Sequence, residues 1–365
     1  MMKVLIINQH FEDVIGGSEL QCDIIAKNLK KMGHEIIYGI VRPRKQKYNS
    51  EYKWIKINKP FALSFSRILK EYQPDVVYWR YNKKFLFIAT IISKYYKVKF
   101  VFATSSINDT RWFIWNKFNN YDSFFKKIKI IVYNLYSNIK SLWNHIGFYF
   151  IDGVVNLNSS LCNKLPAKKE IVIHNSMIDT IKPFKWENPY IVWVANIKRI
   201  KNPELFIELA KHFEDRNIDF LMIGKIQDSS YNFLYKKEKL PTNFFYLGPK
   251  TLTEVNGIVK DSLFLVHTCE PEGFGNIFIQ AWLHGKPTVS LYFDPENLIT
   301  THNIGFYSKN FRQLIEDVNI LISDNFLREN MGIRARELAT KKFNSYKNVK
   351  KLEEFLTKII GDNKK

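Results

Sequence analysis

Short apolar runs alternate with amphipathic stretches from one end of the chain to the other. The first run, Lys3–Asn8, predicts a strand, the apolar spacing over 19–31 predicts a helix, and 35–42 predicts a second strand. Gly16 and Gly17 lie in the turn before the helix. Because strands and helices alternate, this pattern favours an α/β fold with parallel sheets.

The same alternation continues and then begins again in the second half of the chain. Further strands are predicted over 74–79, 99–103, 153–158, 170–174, 190–195, 219–223, 243–247, 262–268 and 288–293. Further helices are predicted over 85–92, 204–213, 277–284, 311–323, 325–343 and 345–360. Two prolines and the lack of an apolar run over 182–189 indicate a linker between two domains.

Two helix starts have residues typical of N-caps. Ser18 is predicted to cap the first helix, with Gln21 as its capping-box partner, and Thr253 to cap the helix that runs to Lys260.

The composition agrees with two cored domains, because the chain has 365 residues and 46% of them are hydrophobic. The three cysteines, Cys22, Cys162 and Cys269, are far apart and show no disulfide or metal spacing, which favours a reducing cytoplasm. The first ten residues show no cleavable signal pattern, and no apolar run approaches ~18 residues, so no spanning helix is expected.

Positive charge is concentrated in the first half. Residues 1–182 contain 29 Lys and Arg against 13 Asp and Glu. Such a surface suits an anionic membrane, an anionic acceptor or nucleic acid. No nucleic-acid recognition motif accompanies the charge, so nucleic acid is not an expected partner.

The stretch Arg111–His145 combines six basic residues, one acid and ten aromatic residues. Two interpretations are open. Interfacial helices place aromatic and basic side chains at the level of lipid headgroups. An ordinary helical hairpin would instead pack its aromatic side chains on the core of the domain.

Candidate chemistry is densest over 270–287, where an acidic loop containing Gly273 and Gly275 precedes a short apolar helix. Ligands of parallel sheets bind outside the carboxyl ends of the strands, and the unpaired N–H groups of a helix start attract phosphate or sugar oxygens. A basic loop over 196–202 follows another predicted strand. No Asp-x-Asp motif or metal spacing is found, and the Gly-Gly turn is not a dinucleotide fingerprint, so neither a metal nor a dinucleotide cofactor is expected.

With these elements in place, the chain resembles glycosyltransferase family 4, whose members are retaining enzymes of the GT-B architecture. The family marker E-x-F-G-x-x-x-x-E-A stands here as EGFGNIFIQA, Glu272–Ala281, with Gln280 in place of the second acidic residue. The G-x-P that follows in the family is Gly285–Pro287. Further agreement lies in the glycine turn 16–19, in His174–Asn175, in Lys201–Asn202, and in Gly224 and Gly248. The resemblance is good over about 190–345 and looser over 1–180.

The resemblance implies two Rossmann-like domains with parallel sheets that face each other across a cleft. Residues 1–182 would form the acceptor domain, on which the C-terminal helix 345–365 packs back. Residues 183–344 would bind the nucleotide sugar.

The resemblance also implies roles for single residues. Lys201 would neutralise the donor pyrophosphate and the leaving group, and Arg199 or Lys198 would replace the family's arginine, whose place is near Asn196. Glu272 would accept hydrogen bonds from the donor sugar, and Gln280 can accept one from a ribose hydroxyl but carries no charge. The expected donor-binding residues are Gly16, Gly17, Asn196, Gly224, Gly248, Phe274, Gly275, Asn276 and Gln280.

Retaining members often carry a histidine in the loop after the fourth strand of the first domain, and this chain has none there. His10, Ser105 and Asp109 are the candidates for contact with the sugar or the acceptor.

The expected function is retaining transfer of a hexose or N-acetylhexosamine from a nucleotide sugar, most readily a UDP-linked one. The acceptor would be a glycan or lipid-linked glycan of bacterial surface polysaccharide assembly, with the protein in the cytoplasm at the inner face of the cell membrane. The transfer would need no metal. The alternative is a degenerate member that binds a nucleotide or a partner without transfer.

Overall fold

The computed structural model describes residues 1–13, 16–113, 124–270 and 273–361. The chain divides into two compact units. The first comprises Met1–Asn175 with Ser345–Lys365, and the second comprises Ser176–Asn344.

Over the described part of the first unit, seven parallel strands form one sheet in the order β3-β2-β1-β4-β5-β6-β7. The strands are β1 (Lys3–Asn8), β2 (Glu35–Val41), β3 (Lys53–Ile57), β4 (Val76–Trp79), β5 (Lys99–Ala103), β6 (Gly153–Asn156) and β7 (Glu170–Val172). The helices are α1 (Gly17–Lys31), α2 (Phe61–Tyr72), α3 (Leu86–Tyr95), α4 (Phe124–Ile146) and, at the C-terminus, α11 (Ser345–Gly361). The strand order reverses between β1 and β4.

Both faces of this sheet are covered by apolar side chains, which explains why its central strands are continuous apolar runs. The helix α11 closes one face with Leu352, Phe355 and Ile359. Strand β6 begins beneath this helix with Gly153. A glycine fits there because a Cβ atom would lie 2.9 Å from the Phe355 ring. The C-terminal helix is therefore part of the first core.

In the described part of the second unit, six parallel strands form a sheet in the order β10-β9-β8-β11-β12-β13. The strands are β8 (Tyr190–Val194), β9 (Asp219–Ile223), β10 (Phe244–Tyr246), β11 (Leu265–His267), β12 (Thr288–Ser290) and β13 (Gly305–Tyr307). The helices are α5 (Pro203–His212), α6 (Leu252–Asp261), α7 (Asn276–Leu283), α8 (Leu298–Thr301), α9 (Phe311–Ser323) and α10 (Asn325–Lys342). The order reverses here between β8 and β11. The predicted α/β class with two Rossmann-like parallel sheets is confirmed.

Both predicted N-caps are wrong by about half a turn. Helix α1 begins after Gly16, and the Ser18 hydroxyl instead accepts from Asn8 Nδ2 at 3.0 Å and lies 3.3 Å from the carbonyl of Arg80, to which it donates. Helix α6 is capped by Thr251, which exchanges hydrogen bonds with Glu254 in a capping box.

Residues 176–189 belong to the second unit, whereas the sequence pattern indicated a linker over 182–189. The part of this segment from 178 to 182 packs along α6. Asn256 Nδ2 donates to the carbonyls of Ile178 and Thr180 at 2.8 and 2.9 Å. Gly257 leaves room for the carbonyl of Lys182, which a Cβ atom would meet at 1.9 Å. These backbone contacts explain why the boundary between the units falls at 175/176.

Candidate active site

The loops with the candidate chemistry follow β8 and β11, the neighbouring strands at which the second sheet reverses its order. At such a point the connections leave the sheet in opposite directions and open a crevice at the carboxyl ends of the strands. The basic loop 195–202 follows β8, and the glycine loop 268–275 follows β11.

A buried threonine joins these two loops. The hydroxyl of Thr268 accepts from the indole nitrogen of Trp193 at 2.8 Å, and it lies 2.9 Å from the carbonyl of Lys201 and 3.0 Å from that of Asn202. Asn202 Nδ2 returns a bond of 3.1 Å to the carbonyl of Thr268, and the N–H of Glu270 donates to the carbonyl of Ile200 at 3.2 Å. The backbone of Lys201 is thereby held beside the start of the glycine loop.

The other edge of the basic loop is held by the end of β9. Gly224 has a φ of +153°, and a Cβ atom there would lie 1.8 Å from the carbonyl oxygen of Ala195. Its N–H donates to the carbonyl of Gly248 at 3.1 Å, and the N–H of Ile197 donates to the carbonyl of Lys225 at 2.9 Å. The predicted residues Asn196, Gly224 and Gly248 therefore lie at the same edge of the sheet as Lys201.

The basic side chains of the loop differ in their surroundings. Arg199 is exposed and Lys201 is half-buried. Hydrogen bonds from Ser230 lower the pKa of the Asp228 carboxyl, and the positive charge of Arg199 lowers it further, so the guanidinium lies near the loop after β9.

The glycine loop leads into α7 through a left-handed residue, Gly275, with a φ of +78°. Phe274 before it is buried, with its ring 5.3 Å from that of Phe343. Asn276 begins the helix, so the first N–H groups of α7 point toward the loop. Glu272, the predicted sugar contact, lies outside the described residues.

Gln280 is buried on α7 and faces α6. Its Nε2 donates to Asn256 Oδ1 at 2.8 Å, and Asn256 in turn holds the 178–180 backbone. The amide at this position therefore takes part in helix packing through its nitrogen.

In the first unit, the glycine turn follows β1 at the reversal of the other sheet. The carboxyl of Glu19 lies over Gly16, where a Cβ atom would meet its oxygen at 2.2 Å. Burial raises the pKa of this carboxyl, and its own backbone N–H donates to it. An anionic ligand at Gly16 and Gly17 would have to displace Glu19.

Arg80, which was not among the predicted site residues, lies directly after β4 beside this turn. The side chain is buried, its Nη2 donates to Asn175 Oδ1 at 2.7 Å, and its carbonyl accepts from Ser18. An arginine directly after a buried apolar strand is the signal that could have identified it.

The three candidates for sugar or acceptor contact are engaged within the first unit. His10 is fully buried between Phe11 and Tyr48, and burial lowers its pKa. Asp109 accepts from Ser105 N at 2.7 Å and from Ser105 Oγ at 2.9 Å. These bonds shape the loop after β5, and contact with a substrate stays a prediction for all three.

Within the ranges that the structure describes, no group of three or more His, Cys, Asp or Glu side chains is placed to hold a metal ion.

Residues 178–338 match the model of the family described as glycosyl transferases group 1. No curated protein matches the chain in sequence.

Several solved structures share the fold over nearly the whole chain. Anabaena HepE in complex with UDP and glucose is 15% identical, with a TM-score of 0.72 over 98% of this chain and 100% of that one. A sucrose-phosphate synthase from Thermosynechococcus elongatus is 11% identical, with a TM-score of 0.76 over 99% and 100%. WaaG, a glycosyltransferase involved in lipopolysaccharide biosynthesis, is 14% identical, with a TM-score of 0.69 over 97% and 99%. The chain thus has the GT-B glycosyltransferase fold, and its second unit matches the glycosyl transferases group 1 family.

Proposed function

We propose that the protein is a retaining glycosyltransferase that moves a hexose or N-acetylhexosamine from a UDP-linked donor to a glycan or lipid-linked glycan. The observation that carries this proposal is the junction made by Thr268. It holds the backbone of Lys201 beside the loop that begins α7, at the point where the second sheet reverses its order. Cationic side chains and helix N–H groups that converge on one crevice suit a pyrophosphate.

In this proposal Lys201 and Arg199 offset the negative charge that grows on the nucleotide diphosphate as the glycosidic bond breaks. The N–H groups of Gly275 and Asn276 bind donor oxygens, and Glu272 accepts from the sugar hydroxyls. No divalent ion is required, because these cations and the helix start supply the positive charge. The uridine-containing ligands of HepE support UDP as the nucleotide.

A thermal-shift panel tests donor binding. UDP, GDP, UDP-glucose, UDP-galactose, UDP-N-acetylglucosamine and GDP-mannose would be added without metal to the wild-type protein and to Glu272→Ala. One nucleotide class should stabilise the protein, and the substitution should weaken the shift for the sugar form only. No shift with any compound contradicts the proposed donor site.

Transfer would be measured with Lys201→Ala and Glu272→Ala, and each should abolish most turnover while the unfolding temperature is retained. Lys211→Ala is the matched control, because Lys211 is an exposed lysine in the last turn of α5. Turnover unchanged by either site substitution would refute the assignment.

A second candidate function is nucleotide or partner binding without transfer. It is favoured by one observation, the uncharged Gln280 whose amide nitrogen is engaged by Asn256. One test distinguishes the two functions. A binding protein would show the thermal shift with UDP but would neither hydrolyse a UDP-sugar nor transfer its sugar.

A further inference from the structure

Helix α4 buries polar side chains and exposes many apolar ones. Among the α4 side chains that the structure describes, those buried against the first unit are Asn134, Asn138 and His145. The residues that it exposes are large and apolar or aromatic: Phe125, Ile128, Ile131, Val132, Tyr133, Leu135, Tyr136, Ile139, Leu142 and Trp143. A helix on the surface of a globular domain normally shows the reverse.

The two sets occupy different sectors around the helix. With 3.6 residues per turn, the exposed side chains from Ile131 through Ile139 to Tyr136 span an arc of roughly 140°. The buried polar side chains fall within a separate arc of roughly 40°, which begins beside Ile131. Val132, Leu135 and Ile139 stand near the middle of the apolar arc and are 59%, 52% and 61% exposed. A contiguous apolar face of this kind marks an interaction site.

The inner face is attached to the unit by polar and aromatic contacts. Ser141 Oγ donates to the carbonyl of Trp112 at 2.9 Å, and the Trp112 ring lies 4.0 Å from the ring of His145. On the neighbouring helix, Phe87 of α3 lies 5.9 Å from the ring of Trp143. The orientation of α4 is therefore defined by contacts at its inner side and its C-terminal end.

Charge distinguishes the possible occupants of this face. Lys129 and Lys140 are exposed beside the apolar arc on the same edge, and α4 contains no acidic residue. The Lys140 ammonium lies 4.0 Å from the centre of the Tyr136 ring and donates to its hydroxyl. Apolar and aromatic side chains bordered by lysines match the boundary between acyl chains and anionic headgroups.

The helix has 23 residues, and thus a length of about 35 Å. Among the helices in the described ranges, none is both long enough and apolar enough to cross a membrane. An amphipathic helix with these features lies in the plane of the interface.

We propose that this outer face of α4 binds an anionic lipid bilayer, with the helix parallel to the membrane plane. The apolar side chains enter the headgroup–acyl boundary, and Lys129 and Lys140 contact lipid phosphates. The inference rests on the proposed function in one respect, because a lipid-linked acceptor would be reached at this surface. Lipid binding itself does not depend on binding of the nucleotide-sugar donor.

The test is flotation of the full-length protein with vesicles of phosphatidylcholine alone or with phosphatidylglycerol added. The first variant combines Val132→Ser, Leu135→Ser and Ile139→Ser, and the second combines Lys129→Gln and Lys140→Gln. The matched control changes three exposed apolar residues of the second unit, Ile320→Ser, Phe326→Ser and Ile333→Ser. Unfolding temperatures and the UDP shift are recorded for every protein.

The wild-type protein and the control should float with the anionic vesicles. The triple variant should bind about 100-fold more weakly, and the lysine variant about 30-fold more weakly. Raising the salt from about 0.1 M to about 1 M should weaken vesicle binding by the wild-type protein until it approaches that of the lysine variant.

Equal flotation of the triple variant and the wild-type protein would overturn the proposal. So would a wild-type protein that ignores vesicles but forms a dimer that the triple variant dissociates, because a second copy would then cover the face. A wild-type protein that floats with the vesicles but shows no thermal shift with UDP would contradict the proposed transfer. It would leave the proposed lipid surface unaffected.

Discussion

Replacing Thr268 by valine should lower both the stability of the second unit and its affinity for UDP. The side chain is fully buried, and its hydroxyl joins Trp193 to the carbonyls of Lys201 and Asn202. Valine has nearly the same shape but neither donates nor accepts a hydrogen bond. The substitution therefore removes the hydroxyl's hydrogen bonds between the two loops with little change in packing volume, and it keeps the two bonds that Asn202 Nδ2 and the Glu270 N–H make to backbone carbonyls.

The magnitude follows from the bonds that are lost. A buried indole N–H left without an acceptor costs about 1–3 kcal/mol, and the lost bond to the loop adds about 1 kcal/mol. Thr268→Val should thus lower the free energy of unfolding by about 2–4 kcal/mol. Because the carbonyl of Lys201 loses this hydrogen bond, the affinity for UDP should also fall about tenfold.

The chain offers a matched control at Thr288. This threonine is also fully buried, and its hydroxyl accepts from the indole nitrogen of Trp282 at 3.1 Å, but it lies within β12. Thr288→Val should cost about 1–3 kcal/mol and leave UDP affinity unchanged.

Urea unfolding would measure the stability of both variants, and isothermal titration with UDP would measure affinity. Thr268→Ser, which keeps the hydroxyl, should stay close to the wild-type protein in both assays. The reasoning is refuted if Thr268→Val binds UDP as tightly as the wild-type protein, or if Thr288→Val loses as much affinity as Thr268→Val.

Three further predictions concern backbone, capping and pH. Gly224→Ala should lower the free energy of unfolding in urea by more than about 3 kcal/mol, because its Cβ atom would overlap the carbonyl of Ala195. Gly248→Ala, with φ +71° and open space around the Cβ atom, should lower it by only about 1 kcal/mol. Equal losses in the two variants would contradict this prediction. Thr251→Ala should lower the stability by about 1 kcal/mol through loss of the cap, while Thr253→Ala should change it by less than about 0.5 kcal/mol. Burial, with the nearby charge of Lys83, lowers the pKa of His145 to about 4, so the unfolded chain takes up a proton first as the pH falls from 6.5 to 4. The free energy of unfolding should therefore fall across that window by on the order of 2 kcal/mol. This contribution to the pH dependence should disappear in His145→Phe.

Much of the fold could be predicted because buried parallel strands are short apolar runs between polar turns. Lys3–Asn8, Asp219–Ile223 and Phe311–Ser323 have the predicted bounds. The pair β3 and α2 was missed, although the apolar spacing of Phe61, Phe65 and Leu69 is a clear helical signal. Strand β3, at the edge of the sheet, is interrupted by Lys53 and Lys56, and β13 has only three residues, so neither forms an apolar run.

The loops of the candidate site could be predicted one by one, because each follows a recognisable strand. The junction between them could not. Thr268 bonds to residues 66 to 75 positions earlier in the chain, and no local pattern distinguishes it from any other threonine at a strand end. Likewise, the glycine turn predicted the place of α1 but not the carboxyl of Glu19 above it.

The orientation of α4 shows a more general limit. Periodicity defines the angle between the apolar and polar faces of a helix, but it does not say which face meets the protein. Both interpretations of 111–145 therefore fitted the sequence equally well. Burial of Asn134 and Asn138 shows that α4 meets the first unit with polar side chains, and contact of the exposed side with a membrane stays a proposal. Tyr133 and Tyr136 consequently do not pack on the core. An apolar arc of this size has no favourable interaction with water, and its exposure is the observation that motivates the proposed lipid surface.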